Sequence, residues 1–452
     1  MLIKSLMKMH GAPCDCGKKH EFNSRLLIGS GVLQQIPDVV AGYKAKKVYV
    51  LADRKTYRIA GQRVCELLSS AGIVYSSFCY EQDRPEPDEE RVGSALMHMS
   101  LDCDLIIGVG SGVINDISKI LAAHTGLPYI IVATAPSMDG YASMSSSVTL
   151  AGIKISLPSR CADVIVGDTE IIKRAPREMI LSGIGDMLAK YISICEWRIA
   201  HILVGEYYCE DIARLIREAL SHTLASAEAA LEGDKDAVIE IFNALIIGSV
   251  AMNYAGVSRP ASGVEHYISH LYDTRGVEFG EKAAFHGIQC AIATLAVARL
   301  YEKLIRITPS RERGLQYVAD FDIETWNERL EVLLGKSAEP LIELEKKEGK
   351  YDKTKHSERL SVILDKWDEV VRIVEEEIPQ AAEIEALMKK LGMPTSFGEI
   401  GMRGDLLPEI FCASKDIRDK YVLSRLLWDI GLLDEFANSL SENSFEAIKK
   451  QI

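Results

Sequence analysis

No apolar run in the 452-residue chain is long enough to cross a bilayer: the longest, around Ala244 to Met252, falls far short of the roughly 20 residues a membrane helix needs. Positive charge is also in short supply. Lys and Arg number 52 against 65 Asp and Glu, a formal net charge of −13. A broad nucleic-acid surface needs clustered cations, so that class is excluded, although a small basic pocket is not. The opening residues MLIKSLMKMHG lack the apolar segment and cleavage pattern of a secretory signal, and a cytoplasmic location is expected. Cysteine is sparse, ten in all, and residues such as Cys65, Cys103, Cys195 and Cys290 stand singly in apolar segments. They read as buried reduced thiols, not as a disulfide frame. The exception is Cys14-Asp15-Cys16-Gly17-Lys18-Lys19-His20. It has the form of half a zinc knuckle, but no second CxC or CxxC follows, so no structural metal is expected there.

A hydrophobic share of 48% and a charged share of 26% describe an ordinary globular protein and exclude disorder and fibre. The length allows two or three domains. From Lys46 to about Asp168, short apolar runs bounded by turn residues (46–53, 72–80, 104–110 and 129–134) alternate with helix-like stretches near 56–71, 88–100 and 113–125. Continuous apolar runs suit strands buried on both faces of a parallel sheet, and the alternation predicts a doubly wound α/β domain. The runs SVTLAGIKISLP and ADVIVGD read as strands closing it. After about Glu170 only helical periodicity remains. The expected organisation is an α/β nucleotide-binding domain over 1–169 and an all-α domain over 170–452. Within the latter, the Lys- and Glu-rich stretch 340–378 carries Trp367, Val370, Val371 and Val374 on one face, as a solvated amphipathic helix does.

Three constellations carry chemistry. In the first, Gly108-Val109-Gly110-Ser111-Gly112-Val113-Ile114-Asn115-Asp116 follows a strand and opens a helix, where glycines let backbone approach a pyrophosphate and the helix N-terminus offers N–H groups. The spacing is not GxGxxG, so an ordinary Rossmann fingerprint is absent. Asp53 ends an earlier strand; a carboxylate there accepts hydrogen bonds from a ribose or caps the next helix, and the residues leave both readings open. The second constellation, Thr134-Ala135-Pro136-Ser137-Met138-Asp139-Gly140-Tyr141-Ala142-Ser143, follows the strand YIIVAT. A plain turn uses the same residue types, but a loop beyond the carboxyl end of a parallel strand lines the ligand crevice.

The third constellation combines Asp186, in Gly183-Ile184-Gly185-Asp186, with His266 and His270, four apart on one helix face, and His286. One carboxylate and two imidazoles leave an open position, the layout of a catalytic metal site. A metalloprotease is disfavoured because Tyr267, not Glu, follows His266.

The blocks GSGVINDISK, TAPSMDG, SGIGDMLAK, SRPASGVEHYISH and the His286-Gly287 pair resemble, in order, those of the glycerol-1-phosphate dehydrogenases, within the group that includes iron-dependent alcohol dehydrogenases, glycerol dehydrogenase and 3-dehydroquinate synthase. The resemblance runs from about residue 10 to the C-terminus. It implies metal ligands Asp186, His266 and His286, with His270 and Asp139 at the substrate. It also implies a nicotinamide cofactor, NAD(H) with NADP(H) as the alternative, held by Asp53, by Gly112, Val113, Ile114, Asn115 and Asp116, by Thr134, Ala135, Pro136 and Ser137, and by Ser143. Four-ligand iron enzymes of the group place a His one turn after the Asp. Lys190 stands there in this chain, which points to zinc or nickel. The implied reaction is reduction of dihydroxyacetone phosphate to sn-glycerol 1-phosphate by a homodimer. The alternatives are a dehydrogenase for an unphosphorylated polyol and an inactive NAD-binding scaffold. Arg259 and Lys190 are the candidate cations for the substrate phosphate.

Overall fold

The structure, a computed structural model, describes residues 2–82, 85–281 and 283–441. The chain forms two compact units: the first comprises Met1–Met187 and Glu210–Ser258, the second Leu188–Cys209 and Arg259–Ile452. The division therefore does not follow the change from mixed to helical pattern near residue 170. Helices Arg177–Leu188, Glu210–Leu231 and Lys235–Ala255 are helical in sequence, but all except Leu188 fall in the unit that holds the sheet.

In the first unit, six strands form one parallel sheet: β1 (Arg25–Gly29), β2 (Lys47–Asp53), β3 (Val74–Tyr80), β4 (Leu105–Gly110), β5 (Tyr129–Ala133) and β8 (Val164–Asp168), in the order β1-β8-β5-β4-β2-β3. The apolar runs predicted as β2, β4 and β5 are buried on both faces. Val48, Val50, Ala52, Leu105, Ile107, Val109, Ile130, Val132, Val164 and Val166 project from one face into a common core, held in register by pairs such as Val48 with Leu105 and Ile107 with Ile130. β3 is an edge strand and only partly buried. The segment 145–158 does not close the sheet. Its two strands, β6 (Ser145–Leu150) and β7 (Ile153–Pro158), pair antiparallel as a separate hairpin, with Gly152 at φ 80 in the turn. ADVIVGD does join the sheet, as β8, between β5 and β1.

From β2 the chain builds β3 on one side and β4 on the other. The crevice beyond the carboxyl ends of β2 and β4 is therefore a topological switch point, the place where open parallel sheets bind nucleotides. Asp53 closes β2 and Gly110 closes β4. Although its uninterrupted apolar run is short, helix Lys235–Ala255 as a whole is long and apolar enough on average to cross a membrane, a correction to the reading from run length alone; it is mostly buried inside the structure, as a core helix is.

The second unit is helical. Lys190–Val204, Val264–Phe279 and His286–Leu304 are nearly continuous in their burial. The charged stretch near 340–378 is three helices, Ala338–Glu348, Lys353–Asp365 and Trp367–Glu377, the last burying Trp367, Val370, Ile373 and Val374.

Candidate functional site

In the first unit the crevice is shaped by close backbone approach. A Cβ on Gly110 would lie 2.6 Å from the Ile114 side chain, and one on Gly108 would lie 2.6 Å from Ser118 Oγ. Helix Gly112–Thr125 can therefore start hard against the end of β4. Its N-cap Ser111 makes no side-chain capping bond. The N–H groups of Gly112, Val113 and Ile114 lie within the first turn, which has no intrahelical acceptors, and Asn115 N–H is the first to close onto the helix, on the Ser111 carbonyl. The side chains of the same block face inward. Asn115 donates to the Gly140 carbonyl (3.0 Å) and accepts from Tyr129 OH (3.0 Å). Asp116 pairs with buried Lys119 at 2.9 Å, and Lys119 also donates to Ser143 Oγ (3.0 Å). Asn115, Asp116 and Ser143 thus brace the loop 134–143.

Asp53 is the N-cap of a short helical turn: Thr56 N–H donates to its Oδ1 at 2.8 Å and Asp53 N–H donates to Thr56 Oγ1 at 3.1 Å. The capping role is thus present.

The loop after β5 is pinned at several points. Thr134 N–H donates to the Gly110 carbonyl, and Tyr141 OH reaches back to the Ala135 carbonyl at 2.7 Å. Ser182 Oγ donates to the Ser137 carbonyl at 2.8 Å. A Cβ on Gly183 would sit 2.0 Å from the Pro136 carbonyl oxygen, so only glycine admits the loop against helix Arg177–Leu188. This docking brings Asp139 N–H to 2.8 Å from Asp186 Oδ2. Gly248 makes room on the other side: its Cβ would meet Asp139 Oδ2 at 3.2 Å. Asp186 is fully buried, an expensive place for a carboxylate unless cations or donors surround it.

In the second unit the three histidines come together. Ring centroids are 5.1 Å apart for His266 and His286, 5.3 Å for His270 and His286, and 6.3 Å for His266 and His270. The surroundings fix two of the tautomers. His266 Nδ1 lies 2.7 Å from Glu265 Oε1, so it carries the proton and Nε2 the lone pair. For His286 the logic runs through three residues. Gln289 Nε2 donates to Asp273 Oδ1 (2.8 Å) and to the Ala284 carbonyl (3.1 Å), which sets the amide's orientation. Gln289 Oε1 then accepts from Ser269 OH (3.2 Å). Having spent its one hydrogen, the Ser269 oxygen accepts from His286 Nδ1–H at 3.1 Å, and Nε2 is again the lone-pair atom. Such second partners orient metal-binding imidazoles.

Behind His266, Glu265 also accepts from Gly263 N–H (2.8 Å). Buried Glu196 accepts from Val264 and Leu423 N–H groups. Burial, with Glu265 nearby, raises the Glu196 pKa to about 8.

Sequence reasoning missed two residues here. Cys290, one turn after His286, places Sγ 3.6 Å from His286 Nε2, and His266, His286 and Cys290 all offer ligand atoms within 4.8 Å of one another. The four-residue spacing from His286 was the available signal. Lys420 is the other: its Nζ donates to the Ser262 carbonyl at 3.1 Å, just ahead of the helix that carries His266. Burial, with Arg259 and Arg418 nearby, holds its pKa down to about 7. The two cations expected to meet a substrate phosphate are engaged otherwise. Arg259 forms a two-pronged ion pair with Glu206 and donates to the Tyr421 carbonyl at 2.8 Å. Lys190 is buried and donates to the Ala261 carbonyl at 3.0 Å.

A switch-point crevice in one unit and a tautomer-fixed histidine cluster in the other define a class, the metal-dependent, NAD(P)-linked alcohol dehydrogenases, and residues 27–176 match the iron-containing alcohol dehydrogenase family. Glycerol dehydrogenase from Schizosaccharomyces pombe is similar in fold, with TM-score 0.58 and 18% identity over 95% of this chain and 93% of that one. NADH-dependent butanol dehydrogenase A from Thermotoga maritima superimposes with TM-score 0.59 at 15% identity, over 95% and 99% of the two chains. Among sequence relatives, the glycerol-1-phosphate dehydrogenase [NAD(P)+] of Bacillus licheniformis is 28% identical over 96% of both chains. That of Methanosarcina barkeri is 34% identical over 61% of this chain and 76% of its own length. The chain belongs to the glycerol-1-phosphate dehydrogenase family and is an oxidoreductase.

Proposed function

We propose that the chain catalyses the reversible NAD(P)H-linked reduction of dihydroxyacetone phosphate to sn-glycerol 1-phosphate. The observation that carries the chemistry is the fixing of His266 and His286 with Nε2 as the lone-pair atom in both. A pair of neutral, oriented imidazoles fits a divalent metal, and Asp186 is the third ligand in this reading. Zinc or nickel suits the set better than magnesium, because imidazoles and the neighbouring Cys290 sulfur are softer donors than oxygen. When bound, the metal supplies Lewis-acid polarisation of the C2 ketone and the reduced nicotinamide supplies hydride.

The remaining work belongs to the chain's own groups. The N–H groups of Gly112, Val113 and Ile114 receive the cofactor pyrophosphate at a helix N-terminus. Asn115, Asp116 and Ser143 hold the loop that carries Thr134, Ala135, Pro136 and Ser137 against the same cofactor. Asp53 accepts from the adenosine ribose and repels a 2′-phosphate, which favours NADH over NADPH. Asp139 contacts the substrate. His270, stacked on His286 at 5.3 Å and within ligand reach of Asp273, delivers the proton that the reduced oxygen requires. Lys420 supplies the positive charge for the substrate phosphate; a bound dianion raises its pKa again and keeps it protonated. Assembly as a homodimer and a cytoplasmic location belong to the same reading, and sedimentation of a stable monomer would oppose the first.

The test is NADH oxidation with dihydroxyacetone phosphate against dihydroxyacetone at matched concentration. A site that pairs a cation with the substrate phosphate discriminates against the smaller ketone by orders of magnitude in kcat/KM. Equal efficiency would favour a polyol dehydrogenase, and no turnover with either would favour an inactive scaffold.

A further inference from the structure

The Cys14–His20 segment takes no part in the reaction described above, yet it is built with care. Gly17 N–H donates to the Cys14 carbonyl at 2.9 Å and Gly17 sits at φ 79, a left-handed conformation that favours glycine. The chain turns back on itself, Pro13 bridging Lys19 antiparallel and His10 bridging His20. Gly11 N–H donates to the His20 carbonyl at 2.8 Å.

The turn gathers ligand atoms. Those of Cys14, Cys16 and His20 lie within 4.8 Å of one another, and Cys16 Sγ is 3.4 Å from His20 Nε2. Tetrahedral zinc with ordinary Zn–S and Zn–N bonds sets neighbouring ligand atoms about 3.5–3.8 Å apart, so the observed separation is near what zinc would impose. His20 is almost wholly buried, and its Nδ1 lies 3.1 Å from the Tyr254 carbonyl. A carbonyl can only accept, so Nδ1 carries the proton and Nε2 the lone pair. This is how ligating histidines are held.

Cys14 Sγ lies 3.3 Å from Asp211 Oδ2, the second residue of helix Glu210–Leu231. Two residues earlier stands Cys209, also buried. We propose that Cys14, Cys16, His20 and Cys209 bind a structural zinc ion, distinct from the His266 and His286 centre. A closed set of three thiolates and one imidazole is a structural donor set with no position for substrate. Binding releases the three thiol protons to solvent. The ion fastens the N-terminal segment to the start of helix Glu210–Leu231. The sequence hides the site because the fourth ligand is almost two hundred residues away from the CxC pair.

The experiment is metal analysis of the full chain purified with zinc present and without a histidine tag, followed by cobalt(II) substitution. The wild type is expected to hold two metal ions and His266→Ala one. The cobalt form of His266→Ala should show thiolate-to-cobalt charge-transfer absorption and intense tetrahedral ligand-field bands. Adding Cys14→Ser and Cys16→Ser should remove both the bands and the ion. Should that combination not fold, Cys209→Ser and His20→Gln are each expected to weaken the bands, and a thiol-specific mercurial added to His266→Ala should release one zinc. A metal-free His266→Ala protein, bands that survive loss of both cysteines, or a mass showing a Cys14–Cys16 disulfide in protein purified under reducing conditions would overturn the proposal.

Discussion

Replacing Ser269 by Ala removes one oxygen from a fully buried position and opens the chain that runs from Asp273 and Ala284 through Gln289 and Ser269 to His286. Buried Gln289 Oε1 and half-buried His286 Nδ1–H both lose their bond to Ser269. Each buried polar group left unpaired costs about 1–3 kcal/mol. Part of that cost disappears if His286 rotates or changes tautomer, and either response spoils Nε2 as a ligand. The expected result is a roughly 10- to 100-fold fall in metal affinity, the usual effect of removing a histidine's second partner, or about 1.4–2.7 kcal/mol at about 1.4 kcal/mol per decade. The assay is zinc competition against a chelator of known affinity, with circular dichroism to establish that the helices persist. Ser269→Thr keeps the hydroxyl and should restore affinity, which a mere packing role would not predict. Unchanged affinity in Ser269→Ala would refute the tautomer argument for His286.

Three further outcomes are expected. Asp53→Ser keeps an N-cap oxygen for Thr56 N–H, so the melting temperature should hardly move, while the ratio of kcat/KM for NADPH to that for NADH rises; an unchanged ratio would leave Asp53 as a cap alone. His270→Ala should retain stoichiometric metal and lose a factor on the order of 10²–10⁴ in kcat, the range for a general acid; metal loss equal to that of His266→Ala would make His270 a ligand. Lys420→Met should raise KM for dihydroxyacetone phosphate far more than KM for dihydroxyacetone. Because the Lys420 pKa is depressed to about 7, its charge is present below that pH and lost above it. The wild-type kcat/KM for the phosphorylated ketone should therefore decline as pH rises through 7, a decline absent from Lys420→Met.

The two-part nature of the chain was legible because periodicity is local: β2, β4 and β5 are apolar on both faces and announce a parallel sheet without any tertiary knowledge. β1 is hard to read because Arg25–Gly29 is short and only partly buried, and the run SVTLAGIKISLP, read as strands closing the domain, pairs within itself as a hairpin, because alternation alone does not say which partner a strand takes. At the histidine cluster the candidate residues were readable, since His266, His270 and His286 are close in sequence and spaced for helix faces. Their supports were not. Ser269 and Gln289 look like ordinary helix residues until the two helices are packed. The cationic candidates show the same limit: Arg259 and Lys190 are near the motifs in sequence, but Glu206 and the Ala261 carbonyl claim them, while Lys420 arrives from more than 150 residues away. The inward turn of Asn115 and Asp116 depends on Tyr129, Gly140 and Lys119, contacts that spacing within the block cannot express.

The most direct test of the central claim is the configuration of the product. The wild-type chain, loaded with zinc or nickel and supplied with NADH and dihydroxyacetone phosphate, should yield glycerol phosphate that is sn-glycerol 1-phosphate, shown by enantioselective analysis and by failure to serve as substrate for an sn-glycerol-3-phosphate-specific enzyme. Recovery of sn-glycerol 3-phosphate, or of a racemate, would contradict the account.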